Sequence, residues 1–354
     1  MLDDSIELLK LMISTPSFSR DEEVLASRLE ERFSLLGLSP VRFKNNLFFK
    51  NRHFDPAKPT ILLNSHIDTV KPNSGYTLDP FSPTERDGRL YGLGSNDAGA
   101  SVVAMAAAFR HFDTRTDLKY NLVFAPTAEE EISGVNGIEA LLPRFKDDGI
   151  PSIDCALVGE PTGMQMAVAE KGLLVLDCTM IGKSGHAARD EGDNAIYKAL
   201  DDIHWFKDFK FEHVSPLLGP NKMTVTILNS GSQHNVVPRE CQFTVDVRVN
   251  ELYDFDAVLE TIRSHVKSEV KPRSVRIKST SISLEHPLVR AGLNLGLSHY
   301  GSPTTSDKAL MPFPALKIGP GESARSHTAD EFVLISEIEQ GIRIYTELLS
   351  QVIL

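Results

Sequence analysis

The chain has 354 residues, with 37 basic and 48 acidic side chains and a formal net charge of -11. Hydrophobic content of 41% and charged content of 24% fit a soluble globular protein and exclude disordered and fibrous classes. The acidic balance argues against a nucleic-acid binder, whose phosphate contacts need clustered Lys and Arg, and no run approaches the ~20 apolar residues of a membrane helix.

The N-terminal MLDDSIELLKLMIS carries two Asp ahead of apolar residues at helical spacing and has no basic segment. It predicts a first helix and not a secretion signal. A second helix is predicted over residues 21–36, with Ser19 and the acidic run Asp21-Glu22-Glu23 at its start. Short apolar runs follow at 60–64, 121–125 and 154–158, each ending in polar residues, with a small-residue buried helix over 99–112 between the first two. This alternation predicts an α/β sheet layered by helices. In such sheets ligands gather beyond the carboxyl ends of the strands.

From Leu173 the pattern changes to LLVLDCTMIG, a helix over 194–206, MTVTILNSG, CQFTVDVRVN, a helix over 254–270, and VRIKSTSISL. This strand–helix–strand–strand–helix–strand order is a split βαβ, able to close its own sheet. After Glu285 helix and strand return, with a strand at 315–318 and a last helix from Leu334. The predicted organisation is a two-domain α/β chain: a catalytic domain of residues 1–172 and 283–354, and a smaller ferredoxin-like domain inserted at 173–282. The three cysteines, Cys155, Cys178 and Cys241, lack CxxC spacing and lie in apolar runs, which suits buried thiols in the reducing cytoplasm.

Five clusters sit at the predicted strand ends. Ser65-His66-Ile67-Asp68-Thr69 places His66 and Asp68 on one side of an extended strand, where a carboxylate can orient an imidazole that binds metal. Gly88 to Gly99, GRLYGLGSNDAG, is a glycine-rich loop that delivers Asp97 to the start of the buried helix, where Asp would also serve as a cap. It lacks the endings of a phosphate loop. Glu129-Glu130-Glu131 packs three acids at a strand end, which demands a cation or a proton. Gly159-Glu160-Pro161-Thr162 and Ser326-His327-Thr328-Ala329-Asp330-Glu331-Phe332 complete the set. Singly, each has a duller explanation as a turn, a cap or a solvated pair. Together they can hold two divalent ions, with a His and a terminal acid on each and one bridging carboxylate. Three carboxylates against two dications leave one positive charge, so the count favours a hydroxide-forming site.

SHIDT, GRLYGLGSNDAGA, APTAEEEISG, VGEPT and SHTADEF, in this order and spacing, resemble the co-catalytic zinc peptidase family of aminoacylase, acetylornithine deacetylase and succinyl-diaminopimelate desuccinylase. The resemblance spans essentially the whole chain. It implies His66 and Glu160 on one zinc, Glu131 and His327 on the other, Asp97 bridging them, Asp68 orienting His66, and Glu130 as general base. Cobalt or manganese are possible substitutes for zinc. The family commonly has Asp-Glu-Glu where this chain has Glu129, and Leu93 and Ala98 replace larger residues.

In the inserted domain the resemblance implies that His186, in GKSGHAA, reaches a partner subunit's site to stabilise the oxyanion, so a homodimer is expected. It implies that Asn235 and Arg248 contact the substrate carboxylate, a task that suits the planar fork of Arg. Gly319, in the Gly-Pro-Gly loop, joins the candidate substrate-binding residues, and Lys171 is a weaker candidate for the carboxylate, read first as a surface charge. The expected reaction is deacylation of an N-acyl amino acid, N2-acetylornithine or an acylcitrulline in arginine biosynthesis. The alternatives are a desuccinylase, a dipeptidase or carboxypeptidase, and a silent small-molecule binding homologue. A serine hydrolase is disfavoured because no GxSxG occurs.

Overall fold

Helix α1 (Leu2–Ile13) turns Leu8, Leu9, Met12 and Ile13 inward at spacings of one, three and four, and α2 (Glu23–Leu35) does the same with Leu25, Ala26, Leu29 and Phe33. The computed structural model describes residues 1–354 and resolves into two units. The first comprises residues 1–168, 282–300 and 306–354, and the second residues 169–281 and 301–305.

In the first unit, β1 (Val41–Phe43), β2 (Asn46–Lys50) and β3 (Thr60–His66) are followed by the short pair β4 (Thr84–Arg86) and β5 (Arg89–Tyr91). Then come α3 (Ala100–Phe112), β6 (Asn121–Thr127), α4 (Ile138–Arg144), β7 (Cys155–Val158) and β8 (Met166–Glu170). β3, β6 and β7 are buried along their whole length because helices cover both faces of the sheet. Their side chains alternate between two cores: Ile61, Leu63, Leu122, Phe124 and Leu157 face one, and Leu62, Val123, Ala125, Ala156 and Val158 the other.

The second unit runs β9 (Gly172–Ile181), β10 (Gly185–His186), α5 (Ala195–Asp208), β11 (Lys222–Ser230), β12 (Val236–Val237), β13 (Glu240–Val249), α6 (Phe255–His265), β14 (Glu269–Pro272) and β15 (Thr280–Ser281). Its four-stranded sheet has the order β11-β13-β9-β14, every neighbour antiparallel, over a core that includes Phe206, Phe243, Val245, Val258 and Ile262. The last ladder strand is β14, not the alternating VRIKSTSISL run. Helix α6 stops at His265, five residues short of the expected end, and leaves Glu269–Pro272 to pair with β9. Of that run only Thr280–Ser281 (β15) pair, with Glu170 and Ala169 of β8 and not with the four-stranded ladder, and Ile277 and Ile282 on either side are buried.

The chain returns through α7 (Pro287–Asn294), β16 (His299–Ser302), β17 (Ala315–Lys317), β18 (Phe332–Leu334) and α8 (Ile335–Ile353). The main sheet of the first unit is ordered β1-β2-β6-β3-β7-β17-β8, with β6, β3, β7 and β17 parallel at its centre. A small sheet, β18-β5-β4, joins the two ends of the chain, a feature the sequence reading did not contain. No helix is long and apolar enough to cross a membrane.

Candidate metal centre

β3 ends at His66, which is 1% exposed. Its Nδ1 lies 2.9 Å from the carbonyl oxygen of Asp68, and since a carbonyl only accepts, the proton sits on Nδ1 and Nε2 is left to face the cluster. The Asp68 carboxylate is farther off, at 3.5 Å. Instead it accepts the N–H of Glu130 at 3.0 Å, the N–H of Glu131 at 3.1 Å and the hydroxyl of Ser19 at 2.7 Å. Asp68 therefore orients His66 chiefly through its backbone, and its side chain ties the acidic loop to the strand end.

Asp97 does not cap α3, whose first turn takes no side-chain hydrogen bond. Its loop depends on Gly94, held at φ 74°, a conformation that favours glycine. The two oxygens of Asp97 point to different histidines: Oδ1 lies 3.3 Å from His66 Nε2, and Oδ2 lies 3.6 Å from His327 Nε2. Burial opposes the Asp97 charge, but His66 beside it holds the carboxyl below its usual value.

The three consecutive glutamates part company. Glu129, in a left-handed conformation at φ 59°, turns away, its carboxylate accepting the backbone N–H of Asn136 at 3.1 Å and the Asn136 side-chain amide at 2.8 Å. Glu130 clusters with His66 and Glu160, and Glu131 with His66 and Asp97. Burial, with Glu160 adding to it, raises the Glu130 pKa well above the ordinary carboxylate range. His327 Nε2 lies 3.0 Å from Glu131 Oε2, and that hydrogen bond lifts the imidazole pKa to about 9 despite partial burial. Glu160 follows β7 and reaches within 3.9 Å of His66 Nε2. For His66, burial works to lower the pKa, but Asp68 and Asp97 outweigh it and raise it well above normal.

The donor set suits divalent zinc-type ions: two imidazoles and several carboxylates, packed closely enough that only a proton or a cation can relieve their repulsion.

Residues 62–351 match the model of peptidase family M20/M25/M40. The chain is a member of that family. It is similar to the acetylornithine deacetylase of Proteus mirabilis (strain HI4320), with 28% identity over 94% of this chain and 93% of the relative. It is also similar to the succinyl-diaminopimelate desuccinylase of Maricaulis maris (strain MCS10), with 27% identity over 98% and 95%. Among solved structures, aminopeptidase PepT from Bacillus cereus ATCC 10987 superposes with a TM-score of 0.78, at 18% identity and over 99% of both chains. The M20/M25/M40 family consists of metal-dependent peptidases and amidohydrolases, and the cluster around His66 and His327 lies within its matched span.

The remaining candidates fall elsewhere. Gly319 is buried, its N–H donates to Thr162 Oγ1, and its carbonyl accepts the N–H groups of Thr162 and Met164. A Cβ there would run into Ser101 Oγ and the Glu160 backbone, so Gly319 serves the turn carrying Glu160 and has no polar group left for a substrate. In the second unit, His186 is exposed on β10, opposite Val236 of β12. Arg248 forms a two-pronged ion pair with Asp246 at 2.8 and 3.0 Å, and Asn235 accepts the Ala187 N–H through its carbonyl. Lys171 is not a surface charge: it is 8% exposed and donates to the Pro220 carbonyl at 2.5 Å, and burial together with Lys222 and Arg248 lowers its pKa.

Several supporting residues escaped the sequence reading. Ser19 and Glu22 precede α2, and buried Glu22 accepts the Glu129 N–H at 3.3 Å. Asp307 accepts the Thr127 hydroxyl at 3.0 Å, and burial pushes its pKa up to about 7. Glu331 grips the Asp97 loop. Of these, Ser19 and Glu22 were noted only as the start of a helix and Glu331 only as part of the last cluster, and Asp307 drew no notice.

Proposed function

We propose that the chain hydrolyses the amide bond of an N-acyl amino acid, N2-acetylornithine before acylcitrulline, in cytoplasmic arginine biosynthesis. The observation that carries this reading is Asp97, whose two carboxylate oxygens are divided between His66 and His327. That division suits a carboxylate shared by two ions: His66 and Glu160 would hold one, Glu131 and His327 the other. The names of the two curated relatives favour N-acyl amino acids over peptides. Three free, buried cysteines suit a reducing compartment.

Bound zinc, or cobalt or manganese in its place, would supply Lewis acidity and make water nucleophilic at neutral pH. The chain does the proton work. Glu130, buried among acids, takes a proton from the water that attacks the amide carbonyl. As the C–N bond breaks, Glu130 returns that proton to the leaving amine. Asp68 keeps Glu130 and Glu131 in register by accepting both their N–H groups. His186 of a second copy would donate to the oxyanion, and Asn235 and Arg248 would bind the substrate carboxylate.

The second unit is read as a ferredoxin-like dimerisation and lid domain. Its edge strand β11 leaves Ile227 and Leu228 each 48% exposed, and α5 leaves Tyr197 71% exposed, an unpaired edge with apolar neighbours of the kind homodimers cover.

The test is a metal-reconstituted activity panel of N-acetyl and N-succinyl ornithine, citrulline and diaminopimelate, plus two dipeptides, with Glu130→Ala as control. Turnover of one acylated amino acid, lost in the control, is expected. Turnover of succinyl-diaminopimelate or a dipeptide alone would move the chain to another branch of the family, and silence across the panel with metal bound would leave the binding-homologue reading.

A further inference from the structure

Asp97 lies between segments from opposite ends of the chain. On one side β5 ends at Tyr91 and runs into the loop through Gly92, Gly94 and Asn96. On the other, Phe332 of β18 pairs with Tyr91, which sets Glu331 beside Gly92, and the Gly92 N–H donates to the Glu331 carbonyl at 3.0 Å. The Glu331 side chain, 2% exposed, lies along the loop. Its Oε1 accepts the N–H groups of Asn96 and Asp97, each at 2.9 Å, and its Oε2 accepts the Gly94 N–H at 3.2 Å. Three backbone donors thus converge on one buried carboxylate, and one of them, the Asp97 N–H, belongs to the residue whose side chain is shared between the histidines.

The same C-terminal segment carries His327, four residues before Glu331, and is stitched to the loop a second time. Asn96 donates its side-chain amide to the Glu322 carbonyl at 3.1 Å and accepts the Glu322 N–H at 2.9 Å. Neighbouring Asp330 does a different job, accepting N–H groups of Thr77 and Leu78 at 2.8 and 3.0 Å.

We propose that Glu331 is the positioning residue for Asp97: it locks the Asp97 loop to the His327 segment, so that each Asp97 oxygen is held toward its own histidine. The inference rests on the reading of Asp97 as a metal ligand. Partners that orient a metal ligand without touching the metal are worth about 10–100-fold in metal affinity or activity. Glu331 acts on the backbone of Asp97 rather than on its carboxylate, so its loss would disturb where the oxygens point without removing them.

The experiment titrates zinc into metal-free wild type, Glu331→Gln, Asp330→Asn and Asp97→Ala by calorimetry, alongside thermal unfolding of the metal-free proteins and kcat and KM on the active substrate. Glu331→Gln keeps the volume and one carbonyl oxygen, but sets an amide donor against the Gly94 N–H. The expected result is a folded Glu331→Gln protein whose zinc affinity is weaker by ~10–100-fold, with kcat lowered and KM unchanged, while Asp330→Asn binds zinc like wild type. A folded Glu331→Gln protein with wild-type zinc affinity overturns the proposal. If Asp97→Ala also binds zinc normally, the reading of Asp97 as ligand fails as well. If Asp97→Ala loses zinc and Glu331→Gln does not, only the role of Glu331 fails. Should Glu331→Gln not fold, Glu331→Asp is judged by the same outcomes, and if neither folds Glu331 is a folding residue and the proposal falls.

Discussion

His327 Nε2 lies 3.0 Å from Glu131 Oε2, a contact that closes 196 residues of chain. Residues that serve one ion should fail together. His327→Ala and Glu131→Ala are each expected to leave a single zinc ion per chain after dialysis, and the double variant should also retain one, because the second loss strikes a site already emptied. Elemental analysis of the three proteins decides this. A double variant that retains no zinc would mean that the two residues serve different ions.

Glu129 is expected to matter for geometry and not for proton transfer. Its carboxylate fastens Asn136, and its N–H is fastened by Glu22, so it pins both ends of the loop that starts with Glu130 and Glu131. Glu129→Ala strips the acceptor from two Asn136 donors and should cost about 1–3 kcal/mol of stability. It should also lower kcat through the displaced neighbours. Glu129→Gln, which keeps one oxygen, should lose less of both in thermal unfolding and steady-state kinetics.

Ser19 offers a milder test of the same support. Its hydroxyl donates to Asp68 Oδ2 at 2.7 Å, on the carboxylate that also takes the Glu130 and Glu131 N–H groups. Loss of a hydrogen bond to a charged group is worth ~1.5–3 kcal/mol. Ser19→Ala should therefore lose about 1.5–3 kcal/mol of stability and lower kcat with KM unchanged, and Ser19→Thr should restore both. An unaltered kcat in Ser19→Ala would show that the two backbone donors suffice.

The parts of the site that were legible in the sequence are those where chemistry interrupts an apolar strand. His66, Glu160 and the glutamate triplet stand out because buried parallel strands read as continuous apolar runs that end abruptly. The triplet itself could not be divided by pattern, since only the left-handed turn at Glu129 sends one acid away from the other two. The supporting carboxylates were illegible for a different reason. Glu331 meets Asp97 across 234 residues, and Glu22 meets Glu129 across 107, so no local period marks either. Alternation in VRIKSTSISL signalled the burial of Ile277 and Ile282, but not that strand pairing there shrinks to Thr280–Ser281 against β8, a partner that no local period names.

Gly319 separates a packing role from a substrate role. A methyl group there meets Ser101 Oγ and the backbone of Glu160 at once, and neither backbone atom can move without shifting Glu160. Gly319→Ala should therefore cost about 1–3 kcal/mol, the usual penalty for overpacking, and should weaken retention of one metal ion. A drop in substrate affinity with stability and metal content unchanged would restore the substrate-binding reading.

Exchange between subunits tests the proposed part of His186. Its Nδ1 accepts the Ala188 N–H at 3.1 Å, so a neutral imidazole carries its proton on Nε2, the form that can donate to an oxyanion. If that donation crosses a dimer, a heterodimer of His186→Ala and Glu130→Ala chains contains one complete site, combining Glu130 of the first chain with His186 of the second. Equal mixing makes half of all dimers mixed, so roughly a quarter of wild-type activity per chain should return, although each parent alone is nearly inactive. Were His186 to act within its own chain, neither subunit of the mixed dimer would hold both residues at one site. Mixtures shown by tag capture to have exchanged subunits, yet no more active than their parents, would place His186 outside the partner's chemistry.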